Sequence, residues 1–288
     1  MDWHTISFVC ALSLATADAF TKKFFRTYSG WELLIIRVVI PAVLLAPLMV
    51  YYPLPSVPTA FWSWMAVLVP AEILAMLLYL LAIRDSPLHL TLPYLAFTPV
   101  FNVATGHLVL GESVSLQGLA GILLVVFGAY LLNIRQLKST KNLLAPLIAI
   151  GKERGSRLML IVAAIYSLTS VVGKSTMQLA TAQSFGIFYF IPIAITLVTV
   201  TLFFQPTALR VLYRQPAKSL FVGALMAIMI ITHFLALSMV EVAYMIAVKR
   251  TSLLFGILWG AVLFKEHHLS QHLIAGALMV IGVALILI

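Results

Sequence analysis

The chain has 288 residues, 62% of them hydrophobic and only 9% charged, with 18 Lys and Arg against 9 Asp and Glu. A soluble domain carries charge at roughly a quarter of its positions, so a water-soluble fold is excluded and most of the surface is expected to face lipid. One cysteine, Cys10, excludes an internal disulfide, and no CxxC or close His/Cys cluster offers a metal or iron–sulfur site, so no metal and no cofactor is expected.

Apolar runs of about 20 residues, enough to cross about 30 Å of hydrocarbon at 1.5 Å per residue, predict ten transmembrane helices. In chain order they cover 3–20, 31–51, 60–83, 88–110, 117–132, 158–180, 185–204, 219–239, 242–264 and 269–288. The first run lacks a basic leading segment and a small-residue cleavage site, which predicts a retained helix. The loops after the odd-numbered helices hold Lys22, Lys23 and Arg26, then Arg84, then the stretch from Arg135 to Arg157, then Arg210, Arg214, Lys218 and Lys265. The opposite loops and both termini hold no Lys or Arg. By the positive-inside rule the basic loops are cytoplasmic and both ends of the chain lie outside the cytoplasm. Most of the net charge of +9 therefore records insertion, and a nucleic-acid partner is not expected.

The longest hydrophilic stretch follows the fifth helix. It predicts two five-helix repeats, residues 1–133 and 158–288, joined by a basic linker over 134–157. The first repeat ends in Gly111-Glu112 followed by Gln117, Gly121 and Gly128, and the second in Lys265-Glu266 followed by Gln271, Gly276 and Gly282. At an offset of about 154 residues, Thr98 falls on Ser252, Phe101 on Phe255 and Gly106 on Gly260. Five is odd, so the second copy must insert upside down. Inverted repeats with a midplane site between them are a recurrent build of secondary transporters.

These residues resemble a family, the drug/metabolite transporter superfamily and its ten-helix EamA-type members. The resemblance runs through Arg37, Tyr79-Leu80-Leu81-Ala82-Ile83, the stretch from Pro99 to Gly111-Glu112, and the stretch from Ala247 to Phe255 leading to Lys265-Glu266. Lys249-Arg250 is also similar to the basic pair with which plastid sugar-phosphate translocators of this superfamily hold phosphate. The resemblance implies helices around a central cavity that opens alternately to each side. It further implies a small polar cargo, and points to export of amino acids or related metabolites across a bacterial inner membrane.

Independently of family, an ion at the bilayer centre costs at least about 2.5 to 3.5 kcal/mol, so charges inside the spans call for partners or a task. Glu72 lies midway along the third helix, where it is expected either to couple protons or to pair with Arg37 or Lys249. Arg37 itself has Glu32 one helical turn away as a second candidate tether. Lys174 and Asp18 lie nearer helix ends, Asp18 as a candidate counter-ion. Lys249 and Arg250 point about 100° apart, so one meets substrate while the other pairs with a carboxylate or carbonyls, Lys249 being the expected ligand contact. Tyr94 and Tyr244 occupy corresponding stretches of the two repeats and are candidate midplane contacts. Tyr79, Tyr166, Tyr189, Trp259, His107, His233, Asn102 and Gln178 read mainly as packing. Gly256 and Gly260 form a GxxxG that serves packing within a monomer or a homodimer interface equally well.

The positive excess at mid-depth favours an anionic substrate, an amino acid, an organic acid or a phosphorylated metabolite. No Walker A sequence is present, so an ion gradient, exchange or the substrate gradient supplies the energy. An intramembrane enzyme would need paired Asp, a Ser/His pair or HExxH at membrane depth, and the sequence shows neither GxSxG nor HExxH. A channel or scaffold subunit is the remaining alternative.

Overall fold

The computed structural model describes residues 2–85, 94–134, 154–264 and 273–288, and all regular structure among them is helical. The longer helices are α1 (Trp3–Phe24), α2 (Gly30–Leu45, prolonged by a 3-10 segment Ala46–Val50), α3 (Thr59–Asp85), α4 (Thr98–Leu110), α5 (Leu116–Ile134), α6 (Arg154–Met177), α7 (Ala182–Phe204), α8 (Pro216–Leu237), α9 (Val242–Lys249), α10 (Ser252–Phe264) and α11 (Leu273–Leu287), with short helical turns at Pro206–Arg210 and Val211–Arg214 between α7 and α8. Hydrocarbon offers no hydrogen-bond partners, so a spanning chain must satisfy its backbone within each segment, and apolar helices are the outcome. Six described stretches are long and apolar enough to cross a membrane: Gly30–Val50, Thr59–Tyr79, Arg154–Met177, Ala182–Phe204, Pro216–Leu237 and Val242–Gly260. Two shorter apolar helices lie in α5 and α11. Pro87, Pro93, Lys265, Glu266 and the basic linker from 135 to 153 lie outside the described residues.

Helix ends are set by local chemistry. At the start of α2 the Ser29 hydroxyl accepts from the Glu32 N–H, and the Glu32 side chain reciprocates by accepting from the Ser29 N–H. Thr181 and Ser184 do the same for α7. The end of α4 is a left-handed stop: Gly111 sits at φ 68°, its N–H bonds the His107 carbonyl, and the Glu112 N–H bonds the Gly106 carbonyl. The ninth apolar run departs from the expected single helix. It breaks at Arg250 and Thr251, where the Thr251 N–H bonds the Val248 carbonyl at 3.0 Å and the Thr251 hydroxyl bonds that same carbonyl at 2.8 Å.

Cross-helix hydrogen bonds fix which ends lie together. At one end of the bundle, Trp31 at the start of α2 donates to Thr201 near the end of α7, and Gln215 before α8 donates to Tyr28 before α2. At the other end, Gln117 at the start of α5 donates to the Leu285 carbonyl near the end of α11. The first is called the basic end here, because Lys22, Lys23, Arg26, Arg210 and Arg214 lie there. The packing is reciprocal between the halves: α1 lies against α8 and α3 against α6, while α2 pairs with α7, α4 with α9 and α5 with α11. In the last pair the backbones nearly touch. A Cβ on Gly121 would stand 2.6 Å from the Gly282 carbonyl oxygen, and one on Gly282 the same distance from the Gly121 carbonyl.

Candidate functional site in the centre of the bundle

Seven helices bring ionisable and hydroxyl side chains together inside the bundle. On the basic side, Arg37 lies about 10 Å along α2 and Asp18 about 9 Å from the end of α1. Their side chains form an ion pair, Nη1 to Oδ1 at 2.5 Å, and Arg37 Nη2 also reaches Met226 Sδ on α8 at 3.7 Å. Glu32, one of the tethers the sequence offers, does not hold Arg37. It is occupied by the capping box and by Arg214 at 3.3 Å. Asp18 is thus the carboxylate that neutralises Arg37, and the pair is still open to solvent, with Asp18 52% and Arg37 28% exposed.

Glu72 stands midway along α3, with the Thr169 hydroxyl on α6 and the Tyr189 hydroxyl on α7 near its carboxylate. Lys249 is the cation in its electrostatic reach. Tyr79, seven residues beyond Glu72 on the same face of α3, and Tyr166, three before Thr169 on α6, lie between Glu72 and the Arg37 pair and face both Arg37 and Arg250.

Lys249 ends α9 with its Nζ 3.4 Å from His233 Nδ1 on α8 and close to Cys10 on α1. Arg250 follows at the break before α10. Its Nε is buried and has no hydrogen-bond partner among the described residues. A guanidinium carries donors in a rigid fork suited to a carboxylate or phosphate, and an unmet buried donor is costly. Regular helix ends at Lys249 and resumes at Ser252, and Arg250 sits in the short turn between them with its backbone still helical at φ −66° and ψ −14°.

Of the residues singled out from sequence, Asp18, Arg37, Glu72, Lys249 and Arg250 come together. Tyr94 and Tyr244 do not join them. Tyr94 is fully buried against Ala82, Met159 and Val162 near the start of α6, at the basic end, where Ser156 hydrogen-bonds its hydroxyl. Tyr244 lies at the opposite end, where its hydroxyl accepts from the Ser115 N–H at 2.9 Å and its ring covers Gly118. Lys174 is likewise outside the cluster, paired with Glu112 at 2.6 Å. Thr169 escaped the sequence reading altogether, and Tyr79, Tyr166, Tyr189 and His233 read only as packing. The available signal was spacing: Glu72 with Tyr79, and Tyr166 with Thr169, share helix faces.

In a polytopic helical protein, partnered charges at mid-depth mark a candidate substrate or ion path. Residues 2–134 match the EamA-like transporter family, and that stretch is consistent with the drug/metabolite transporter superfamily. No curated protein matches the sequence. Among solved structures 27 chains match. One of them, titled "Crystal structure of protein", aligns over 98% of this chain and 95% of its own length with a TM-score of 0.77 at 16% identity, so the fold is shared from end to end.

Proposed function

We propose that the protein is a secondary transporter of a small polar metabolite with an anionic group, working by alternating access around the central charge cluster. The reading rests above all on Arg250, whose Nε is buried without a hydrogen-bond partner among the described residues, at the turn between α9 and α10 and near hydroxyls from α3 and α6. Asp18 neutralises Arg37, and Glu72 stands opposite Lys249, so Arg250 is the cation left over for a ligand. The sequence favours Lys249 as the contact, but its ammonium is engaged with His233, and Arg250 takes the leading role. Lys249 and Glu72 then form the wall of the site, with Arg37 and Asp18 at its approach.

The reciprocal pairing of helices supports ten spans as two inverted five-helix repeats, because an axis in the membrane plane exchanges α1/α8 with α3/α6 and maps the other three pairs onto themselves. With the basic end in the cytoplasm, the open Asp18–Arg37 side receives cargo from within the cell, which agrees with export. The test is a thermal-shift screen of the purified protein against amino acids, organic acids, nucleotides and sugar phosphates. A ligand at a hundred times its Kd stabilises by about 2.7 kcal/mol. Arg250→Ala is expected to abolish that stabilisation while the variant keeps its own cooperative transition. A cationic ligand as the sole hit, or an undiminished response in Arg250→Ala, would overturn the assignment.

A further inference from the structure

The end of the bundle opposite the basic one is tied by charges that the central cluster does not use. Glu112 follows the left-handed Gly111, and the tight stop turns its carboxylate back across the end of α4. Oε1 accepts from Lys174 Nζ at 2.6 Å, near the end of α6, and Oε2 accepts from the Val242 N–H at 2.9 Å, the first of α9. Lys174 also donates to the Val240 carbonyl at 2.5 Å, so the two charges grip both sides of Glu241 in the α8–α9 connection. Each side chain is only 12% exposed. Gly106 provides the room, since a Cβ there would lie 2.9 Å from Glu112 Oε2.

At the same end Phe61, Phe185, Tyr189 and Phe234, from α3, α7 and α8, pack ring against ring and are at most 5% exposed. The contrast with the half-open Asp18–Arg37 pair is plain. The Asp18–Arg37 pair, towards the basic end, is partly exposed, whereas the groups at the opposite end are buried.

We propose that the Glu112–Lys174 ion pair is the lock that holds the far end shut, and that opening towards that side requires it to part. This inference rests on the transport reading above. The physical reason is hydration. Together the two ions satisfy one another and two backbone groups in a dry place, whereas apart each must be met by water. A parted pair is therefore stable only in a conformation where water enters, which is the opened one. Because Glu112 also accepts from the first N–H of α9, release frees the helix that carries Lys249 and Arg250.

Cys10, the chain's only cysteine, reports on this directly. It is fully buried about 10 Å below the shut end of α1, beside Lys249, with its thiol directed at the Met229 carbonyl. The experiment measures the rate at which a charged, membrane-impermeant maleimide labels Cys10 in the full chain in sealed vesicles, with the reagent added only on the side that the shut end faces. Wild type and Lys174→Arg should label slowly, and Lys174→Met and Glu112→Gln at least tenfold faster, with cooperative thermal transitions retained. Unchanged rates in folded Lys174→Met and Glu112→Gln overturn the lock. Should neither variant fold, hydrogen exchange on wild type decides. The lock requires the Val242 amide and the 111–115 segment to exchange in one common opening, and independent exchange refutes it. An empty ligand screen would count against the transport reading, whereas the labelling rates judge the lock alone.

Discussion

Arg250 shows how a single side chain can be more informative than its neighbours. In sequence it is half of a basic dipeptide, and the sequence gives no means of ranking the two halves, because adjacency on a helix fixes the angle between side chains and not what each one meets. The partner of Lys249, His233, is 16 residues away on another helix. The same limit explains Asp18 and Glu32: both are carboxylates that could serve Arg37, and the choice between them was made by α8, against which α1 and α2 both pack, and by the demand of the Ser29 N–H for a cap. If Arg250 holds an anion through two parallel N–H bonds, Arg250→Lys removes the fork while keeping the charge. The affinity for the ligand found by the screen should fall about tenfold or more, as read by a thermal-shift titration, and an unchanged Kd would show that charge alone matters there.

Among the elements, regular helices were the most legible part. Apolar length located nearly all of them, and the glycine and proline positions marked where some end. The break between α9 and α10 was not legible, since Ala247 to Leu254 contains neither Gly nor Pro. It depends on Thr251 bonding back to the Val248 carbonyl. The assignment of Tyr94 and Tyr244 to the midplane failed for a reason contained in the topology. Two residues related by inversion share a depth only if both sit at the midplane, and these two lie at opposite ends. At the α5–α11 seam the expectation is a steric one. Gly121→Val should cost about 1 to 3 kcal/mol, because the added methyls have backbone and not a flexible side chain to displace. A lowered melting temperature in detergent checks this, and a wild-type value would mean that the helices can part without penalty.

For the molecule as a whole, charge does two separate jobs. Basic residues in loops are expected to orient the chain, and basic residues in the interior form the candidate site, so that one composition figure mixes two unrelated causes. The division could be made from sequence because it depends only on position relative to the apolar runs. The proposed closure of one end could not, since it depends on aromatic side chains of three helices meeting there. Orientation is open to a direct check. A C-terminal alkaline phosphatase fusion, active only outside the cytoplasm, should be active here, and a C-terminal green fluorescent protein should be dark. The reverse pattern would invert the direction in which the open cavity faces.

The close approach of Gly121 and Gly282 has a consequence for how such a chain can change over generations. Each lies against the other's carbonyl, so a side chain gained at one is not accommodated by a smaller residue at the other, glycine being the smallest already. No compensating substitution exists within the pair. The two positions are expected to stay fixed together, while the helices around them drift in sequence.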